Sequence, residues 1–263
     1  MPPGTRAVLD ARSLAASHRR LAGQLRPGLA VLDVGCGTGA ITRGIAEAVA
    51  PGGRAVGIDE NADMIARALQ AHAGVPGLAF ALGDAYALPF DAAFDLVTAA
   101  RVLQWLADPV GALRAMIRAV RPGGSLVVLD FNHEKIAWTP DPPASMRRFY
   151  AAFLAWRAGA GLDNAIADRL PALFEEAGLA GVVATTQHES RRRGEPVFEA
   201  LAGIWTHVAA TRGHQMVADG ALTEAERAAA EAEYREWVGT GCAAHAQYLL
   251  AVEGVRPYTR AGA

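Results

Sequence analysis

The decapeptide VLDVGCGTGA, Val31 to Ala40, constrains the fold more than any other stretch of the 263-residue chain. An apolar run climbs to Asp33 and then breaks into Gly35, Gly37 and Gly39. The run has the length and composition of a buried strand, and glycines admit turn conformations closed to other residues. Residues from Ala40 to Ala50 then follow helical spacing, stopped by Pro51-Gly52-Gly53. A strand that feeds a helix through a glycine turn opens an α/β unit.

The same alternation recurs through the first half. Strands are predicted at Leu29–Val34, Arg54–Ile58, Leu78–Leu82, Phe94–Ala99 and Ser125–Phe131. Helices are predicted from Ser13 to Leu25, from an Asn61 N-cap to His72, and from Asp108-Pro109 to Arg121-Pro122-Gly123-Gly124. Aspartate at the N-cap with proline at the first helical position is a strong start signal. Strands alternating with helices imply a parallel sheet covered on both faces, with ligands at the carboxyl ends of its strands.

The pattern changes after Phe131. Met146, Phe149, Tyr150, Phe153 and Leu154 form one apolar helical stripe within a helix-rich insert, Trp138 to Gly161. A surface helix is expected over Asp163–Ala177, a sixth strand over Leu179–His188 and a helix over Pro196–Thr211. Thr223 and Glu226 form a capping box, and His245–Val255 reads as the last strand. Arg191-Arg192-Arg193 reads as a solvated turn.

Composition excludes several classes. Hydrophobic residues make up 52% and charged residues 20%, a globular balance. A formal net charge of −2 supplies no basic excess for nucleic acid. The two cysteines, Cys36 and Cys242, make no disulfide framework, so a cytoplasmic setting is expected. MPPGTRAVLDARSLAASHRR lacks an apolar signal-peptide core, and no run approaches the ~18 apolar residues of a membrane span. A monomer or homodimer acting on a small molecule is expected.

The glycine loop admits two cofactor classes. G-C-G-T-G-A fits the dinucleotide pattern and also the G-x-G-x-G loop of S-adenosylmethionine (AdoMet) enzymes. Asp33 ends strand one, where a carboxylate can orient the loop or accept from an ammonium group but is poorly placed beside a pyrophosphate. Asp59 ends strand two and can accept both ribose hydroxyls, a feature common to both classes. Gly83-Asp84-Ala85 ends strand three, where a carboxylate and the next backbone N–H can hold an adenine edge.

VLDVGCGTG, VGIDEN, GDAYALPF, FDLVTAARVLQWLADP and RPGGSLVVLDF, in this order, resemble the class I AdoMet-dependent methyltransferases. Within them the chain is most similar to the ubiquinone/menaquinone C-methyltransferase type. The resemblance is strong from about Leu25 to Phe131. It implies a Rossmann-like, seven-stranded, mostly parallel sheet with helices on both faces and an antiparallel last strand. The expected organisation is one domain over 1–263, with inserts at 132–165 and 190–243 forming a helical lid.

The resemblance also implies roles. Gly35, Cys36, Gly37 and Gly39 would hold the methionine part of AdoMet, and Asp59 its ribose. Glu60 and Met64 would flank the adenine, and Gly83, Asp84 and Ala85 would hold its edge. Ala100 and Arg101 would lie beside the sulfonium. His18, Arg19 and Arg20 could reach the cofactor carboxylate, although a solvated helix face accounts for them more simply.

Methyl transfer from a sulfonium is an in-line displacement that depends on alignment and exclusion of water. No metal is expected, because strand four ends in Ala99-Ala100-Arg101 and an arginine there opposes a cation. His133, just after strand five, is the candidate base. Four of the five tryptophans, Trp138, Trp156, Trp205 and Trp237, lie in the inserts. A pocket for an apolar or aromatic metabolite is therefore expected, with Gln104, Trp105, Trp138, Tyr150, Trp205 and His207 as lining residues. Self-burial of these aromatics is the alternative. An AdoMet-binding cyclase without methyl transfer and an NAD-dependent oxidoreductase are the competing functions.

Overall fold

The computed structural model describes residues 12–258. The chain divides into two compact units. Of the described residues, the first takes 12–130, Ile166–Gln187 and 250–258; the second takes Phe131–Ala165 and His188–Leu249.

The first unit is built on strands β1 (Ala30–Val34), β2 (Arg54–Asp59), β3 (Leu78–Leu82), β4 (Phe94–Ala100), the start of β5 (Val120–Thr139), β6 (Ala180–Thr186) and the end of β8 (Ala244–Val255). The sheet order is β3-β2-β1-β4-β5-β8-β6. β1 runs parallel to β2 and to β4, and β6 antiparallel to β8. Strand order therefore reverses between β1 and β4, and a crevice opens at such a switch point.

The helices of this unit are α1 (Leu14–Ser17), α2 (Arg19–Ala22), α3 (Ala40–Val49), α4 (Ala62–Ala71), α5 (Pro109–Ala119) and α7 (Ile166–Glu176), α6 belonging to the second unit. On α3 the buried residues Ile41, Ile45 and Val49 recur at helical spacing. They pack with Leu21, Val31, Leu96 and Val127 into one core cluster. Burial of each such side chain contributes roughly 1.5–3 kcal/mol. Local start signals operate as written. Asn61 accepts from the N–H groups of Asp63 and Met64, and Asp108 from that of Gly111.

The second unit holds α6 (Ala144–Gly159), β7 (Glu189–Arg192), α8 (Phe198–Ala202), α9 (Ile204–Ala210), α10 (Arg212–Ala218) and α11 (Glu224–Thr240). The Thr223–Glu226 capping box is complete. Met146, Phe149, Tyr150 and Phe153 of α6 pack with Phe198, Trp205 and Tyr234 in one buried cluster.

Several boundaries differ from expectation. The helix predicted over Ser13–Leu25 is two short helices, because His18 leaves the helical region at φ −149° and ψ 62°. β5 does not stop at Phe131 but continues to Thr139. Its exposure alternates from Lys135 to Thr139, the period of a strand. The Asp163–Ala177 helix starts at Ile166 and is no mere surface element, since Leu170 and Phe174 are fully buried. Gly203 divides the Pro196–Thr211 helix into α8 and α9. α10 was not predicted. Neither was β7, which gives the sheet an eighth strand by pairing with β8. Arg191 and Arg192 thus belong to a strand rather than a turn.

Candidate cofactor site

The glycine loop joins β1 to α3 at the switch point. Gly35, Gly37 and Gly39 adopt φ of 71°, 56° and 78°, in the left-handed region. Space reinforces backbone strain at two of them. A Cβ on Gly35 would lie 2.4 Å from Val102 Cγ2, and one on Gly39 2.4 Å from Phe80 Cζ. Only glycine fits at either place.

The loop's donors face inward. The N–H groups of Gly35 and Cys36 both donate to the Ile58 carbonyl, at 2.7 and 3.0 Å. Gly37 donates to Asp59 Oδ2 at 2.9 Å, and Gly39 to the Cys36 carbonyl at 3.0 Å. An anion-binding turn needs such N–H groups free for phosphate. This loop has spent four of them on its own architecture.

Asp59 links the loop to α4. Its Oδ2 takes the Gly37 N–H and its Oδ1 the Asn61 N–H, each at 2.9 Å. A carboxylate oxygen has two lone pairs, so each oxygen retains one acceptor position. Two adjacent acceptors on a fixed carboxylate match a vicinal diol. The Gly83 N–H donates to the Asp59 carbonyl at 3.1 Å, which ties the end of β3 to the same place.

Asp33 is buried, and Thr42 Oγ1 donates to its Oδ2 at 2.6 Å. Burial is the main influence on its carboxyl, opposed by the Thr42 hydrogen bond and assisted by the nearby charge of Asp59. Together they push its pKa up to about 7. The cleft beside it is lined by Arg12, Asp33, Cys36, Thr38, Ile41 and Ala100. The Cys36 thiol is pushed up first by burial and then by Asp33 and Asp59.

The remaining predicted cofactor residues are distributed along the strand ends. Glu60 is exposed, whereas Met64 is only 3% exposed and packed inside. Asp84 is exposed and accepts the Tyr86 N–H at 2.8 Å, closing an Asx turn beside the half-buried Ala85. Arg101 is buried with φ 64°, and its guanidinium donates to the Ser17 carbonyl at 3.3 Å. Gln104 is buried, donating through its backbone to Asp130 Oδ2 and through Nε2 to the Arg101 carbonyl, both at 3.2 Å. Trp105 is 40% exposed.

Residues 25–177 match the family model described as a methyltransferase domain. The chain belongs to the methyltransferase domain family. A ubiquinone/menaquinone biosynthesis C-methyltransferase of Ectopseudomonas mendocina is 43% identical over 112 residues, 41% of this chain and 44% of that one. The chain spans less than half the length of the curated relatives it matches. A Bacillus halodurans protein classed as a methyltransferase superposes with a TM-score of 0.60 at 19% identity, covering 93% of this chain and 99% of its own. Phosphoethanolamine N-methyltransferase 2 of Haemonchus contortus, solved with S-adenosyl-L-methionine, superposes at 0.58 with 17% identity, covering 98% and 54%. These likenesses establish a Rossmann-like methyltransferase fold.

The other predicted site residues of this methyltransferase domain belong to the second unit. His133 is not in a loop but within β5. Its ring stacks on Phe131 at 5.3 Å and meets the edges of Phe153 and Trp205 at 5.8 and 6.4 Å. Burial, then Arg157, lowers its pKa to about 3, so it is neutral at pH 7 and weakly basic. Tyr150 donates its hydroxyl to the His133 carbonyl. Trp138 Nε1 donates to the Tyr234 hydroxyl at 2.9 Å, and Trp205 stands edge-on to Tyr150 at 4.6 Å. His207 is half-buried on α9, and burial lowers its pKa.

Sequence reasoning missed Thr42, Arg12 and the Gly37–Asp59 hydrogen bond. It also took His18 for a helix-face residue, yet His18 is fully buried. Of its neighbours, Arg19 is exposed and Arg20 is paired with Glu253. No local signal marks His18, because its partner Thr98 lies 80 residues away.

Proposed function

We propose that this chain transfers a methyl group from AdoMet to a small apolar or aromatic metabolite. The observation that carries the reading is Asp59, held by Gly37 and Asn61 so that one acceptor position on each oxygen remains. The inward-turned N–H groups of the loop favour AdoMet over a pyrophosphate-bearing dinucleotide. The cofactor, when bound, supplies an electrophilic methyl group on a sulfonium sulfur. Asp59 would take the ribose hydroxyls, Gly35–Gly39 the methionine portion, and Asp84-Ala85 the adenine edge.

The chain's remaining task is alignment of the acceptor and exclusion of water. No step needs a metal. His133 is a weak base, so the reading assigns it no proton transfer. The relative's place in ubiquinone/menaquinone biosynthesis supports an apolar ring as acceptor.

Calorimetric titration tests the cofactor assignment. Wild-type protein is expected to bind AdoMet and S-adenosylhomocysteine, and to bind NAD(H) far more weakly. Asp59→Asn removes one acceptor and the charge, and should weaken AdoMet binding by roughly a hundredfold with the fold retained. Unchanged affinity would disprove the ribose assignment. Tight NAD(H) binding without AdoMet binding would disprove the reading as a whole.

A further inference from the structure

Helix α4 touches the glycine loop from both of its ends. The N–H of its N-cap, Asn61, donates to Asp59 Oδ1, and the other oxygen of Asp59 takes the Gly37 N–H. Its C-cap is His72, whose ring returns to the loop one residue further on. His72 Nε2 lies 3.0 Å from the Thr38 carbonyl oxygen. Thr38 is buried and lines the cleft. The two ends of one helix therefore hold adjacent residues of one loop.

The His72 bond fixes a whole peptide group. A carbonyl only accepts, so Nε2 carries a proton. In the neutral ring Nδ1 then carries a lone pair, and that atom is buried without a hydrogen-bond partner in the protein. Such an acceptor has a free-energy cost that a phenyl ring would avoid. The Thr38 carbonyl belongs to the Thr38–Gly39 peptide, whose N–H donates to the Cys36 carbonyl at 3.0 Å. With both polar groups held, this peptide cannot turn over without losing two hydrogen bonds. Gly39 is the N-cap of α3, with φ 78°. The Thr38–Gly39 plane thus sets the direction in which α3 leaves the loop, and Ala40 and Ile41 at its start line the cleft.

Packing presses the same ring against the loop. His72 lies 5.9 Å from Phe80 of β3, centroid to centroid. A Cβ on Gly39 would meet both rings, Phe80 Cζ at 2.4 Å and His72 Cδ2 at 3.0 Å. Phe80 also fills the notch at Gly57, where a Cβ would lie 2.7 Å from its Cδ1. An aromatic ring without Nε2–H can keep this packing and lose only the hydrogen bond.

Building on the AdoMet reading, we propose that His72 is a positioning residue for cofactor binding. Through Nε2–H it holds the Thr38–Gly39 peptide, and with it the cleft-lining stretch from Gly37 to Ile41, in the orientation that receives the methionine portion. It touches no part of the cofactor and acts only through the loop.

Two ligands and two variants test this role. S-adenosylhomocysteine has the methionine-derived chain, and methylthioadenosine lacks its amino and carboxylate groups. His72→Phe should lose about tenfold in affinity for S-adenosylhomocysteine and nothing for methylthioadenosine. His72→Gln, which offers an N–H at comparable reach, should recover most of the loss. Equal loss for both ligands would show a purely structural role and overturn the proposal. A glutamine variant as weak as phenylalanine would place the effect on ring shape and overturn it too. Wild-type protein that binds neither ligand would overturn the AdoMet reading itself, whereas S-adenosylhomocysteine binding unaffected by His72→Phe would sink only the role of His72. A measurement without mutation guards against misfolding. In wild-type protein carrying isotope-labelled histidine, His72 should show a protonated Nε2 whose proton exchanges with water more slowly once S-adenosylhomocysteine is bound, and no more slowly with methylthioadenosine. Slowing by both ligands alike, or by neither, would overturn the assignment.

Discussion

At the scale of the residue, Asp33 is the most informative group. Its carboxyl is raised from the ordinary 3.8 to about 7, chiefly by burial. Between those values the folded protein holds a proton that the unfolded chain releases. Stability therefore falls as pH rises through that window, the opposite of a salt-bridged carboxylate. A cationic ligand reverses the preference, because it binds the ionised carboxylate. AdoMet affinity should then rise close to tenfold per pH unit from about 5.5 toward 7, and level off above. Asp33→Asn keeps an acceptor for Thr42 but cannot ionise. It should flatten the profile and raise the thermal midpoint at pH 8. Titrations across this range in buffers of different ionisation enthalpy read both affinity and proton release. A wild-type profile as flat as the variant's would show that Asp33 does not meet the cation.

At the scale of the element, Arg193 shows how tertiary context gives a role to a residue that looks idle. Beside β7, its guanidinium donates to the carbonyls of Val238, Gly239 and Cys242 at 2.8, 2.9 and 2.8 Å. It thereby caps the C-terminus of α11, whose last carbonyls have no helical partner. Arg193→Ala should lower unfolding stability by about 1–2 kcal/mol, and lysine should recover only part of it. An unchanged denaturation midpoint would refute the capping role. Elements written in local code were legible from sequence: β1 and its glycine turn, the Asn61 and Asp108 caps, and the Thr223 capping box. So was Asp59, because a strand-end carboxylate beside a glycine loop is a local motif. Elements that depend on distant partners were not. A run of arginines looks the same in a turn as in β7, and Gly203 breaks a helix whose apolar stripe reads as continuous. The Thr98 partner of His18 is likewise visible only once β4 is in place. The extension of β5 was written in the alternation of Lys135 to Thr139, but the polar Asn132–Lys135 preceding it masked the period.

At the scale of the whole molecule, the titrating groups are divided unequally between the two units. His133 and His245 of the second unit are lowered to about 3 and about 4, both chiefly by burial. In the unfolded chain each takes a proton near 6.5. Each therefore lowers stability by about 1.4 kcal/mol per pH unit below that value, until its folded pKa is reached. Glu224 and Glu231 of this unit are lowered mainly by hydrogen bonds from Arg227, and their stabilisation too is lost as pH falls. In the first unit His18 is lowered to about 3, but Asp33 is raised and titrates with the opposite sign across much of the same range. Acid should therefore loosen the second unit first. Tryptophan reports on it almost alone, since Trp138, Trp156, Trp205 and Trp237 lie there and only Trp105, already 40% exposed, lies in the first. Between pH 6 and 4, tryptophan emission should shift to the red at a higher pH than the loss of far-ultraviolet circular dichroism. His133→Leu removes one of the protons taken up on unfolding, and where it folds it should carry the emission transition to lower pH. Coincident transitions for the two signals would show that the units respond to acid as one body, and that the uneven distribution of buried histidines has no thermodynamic consequence.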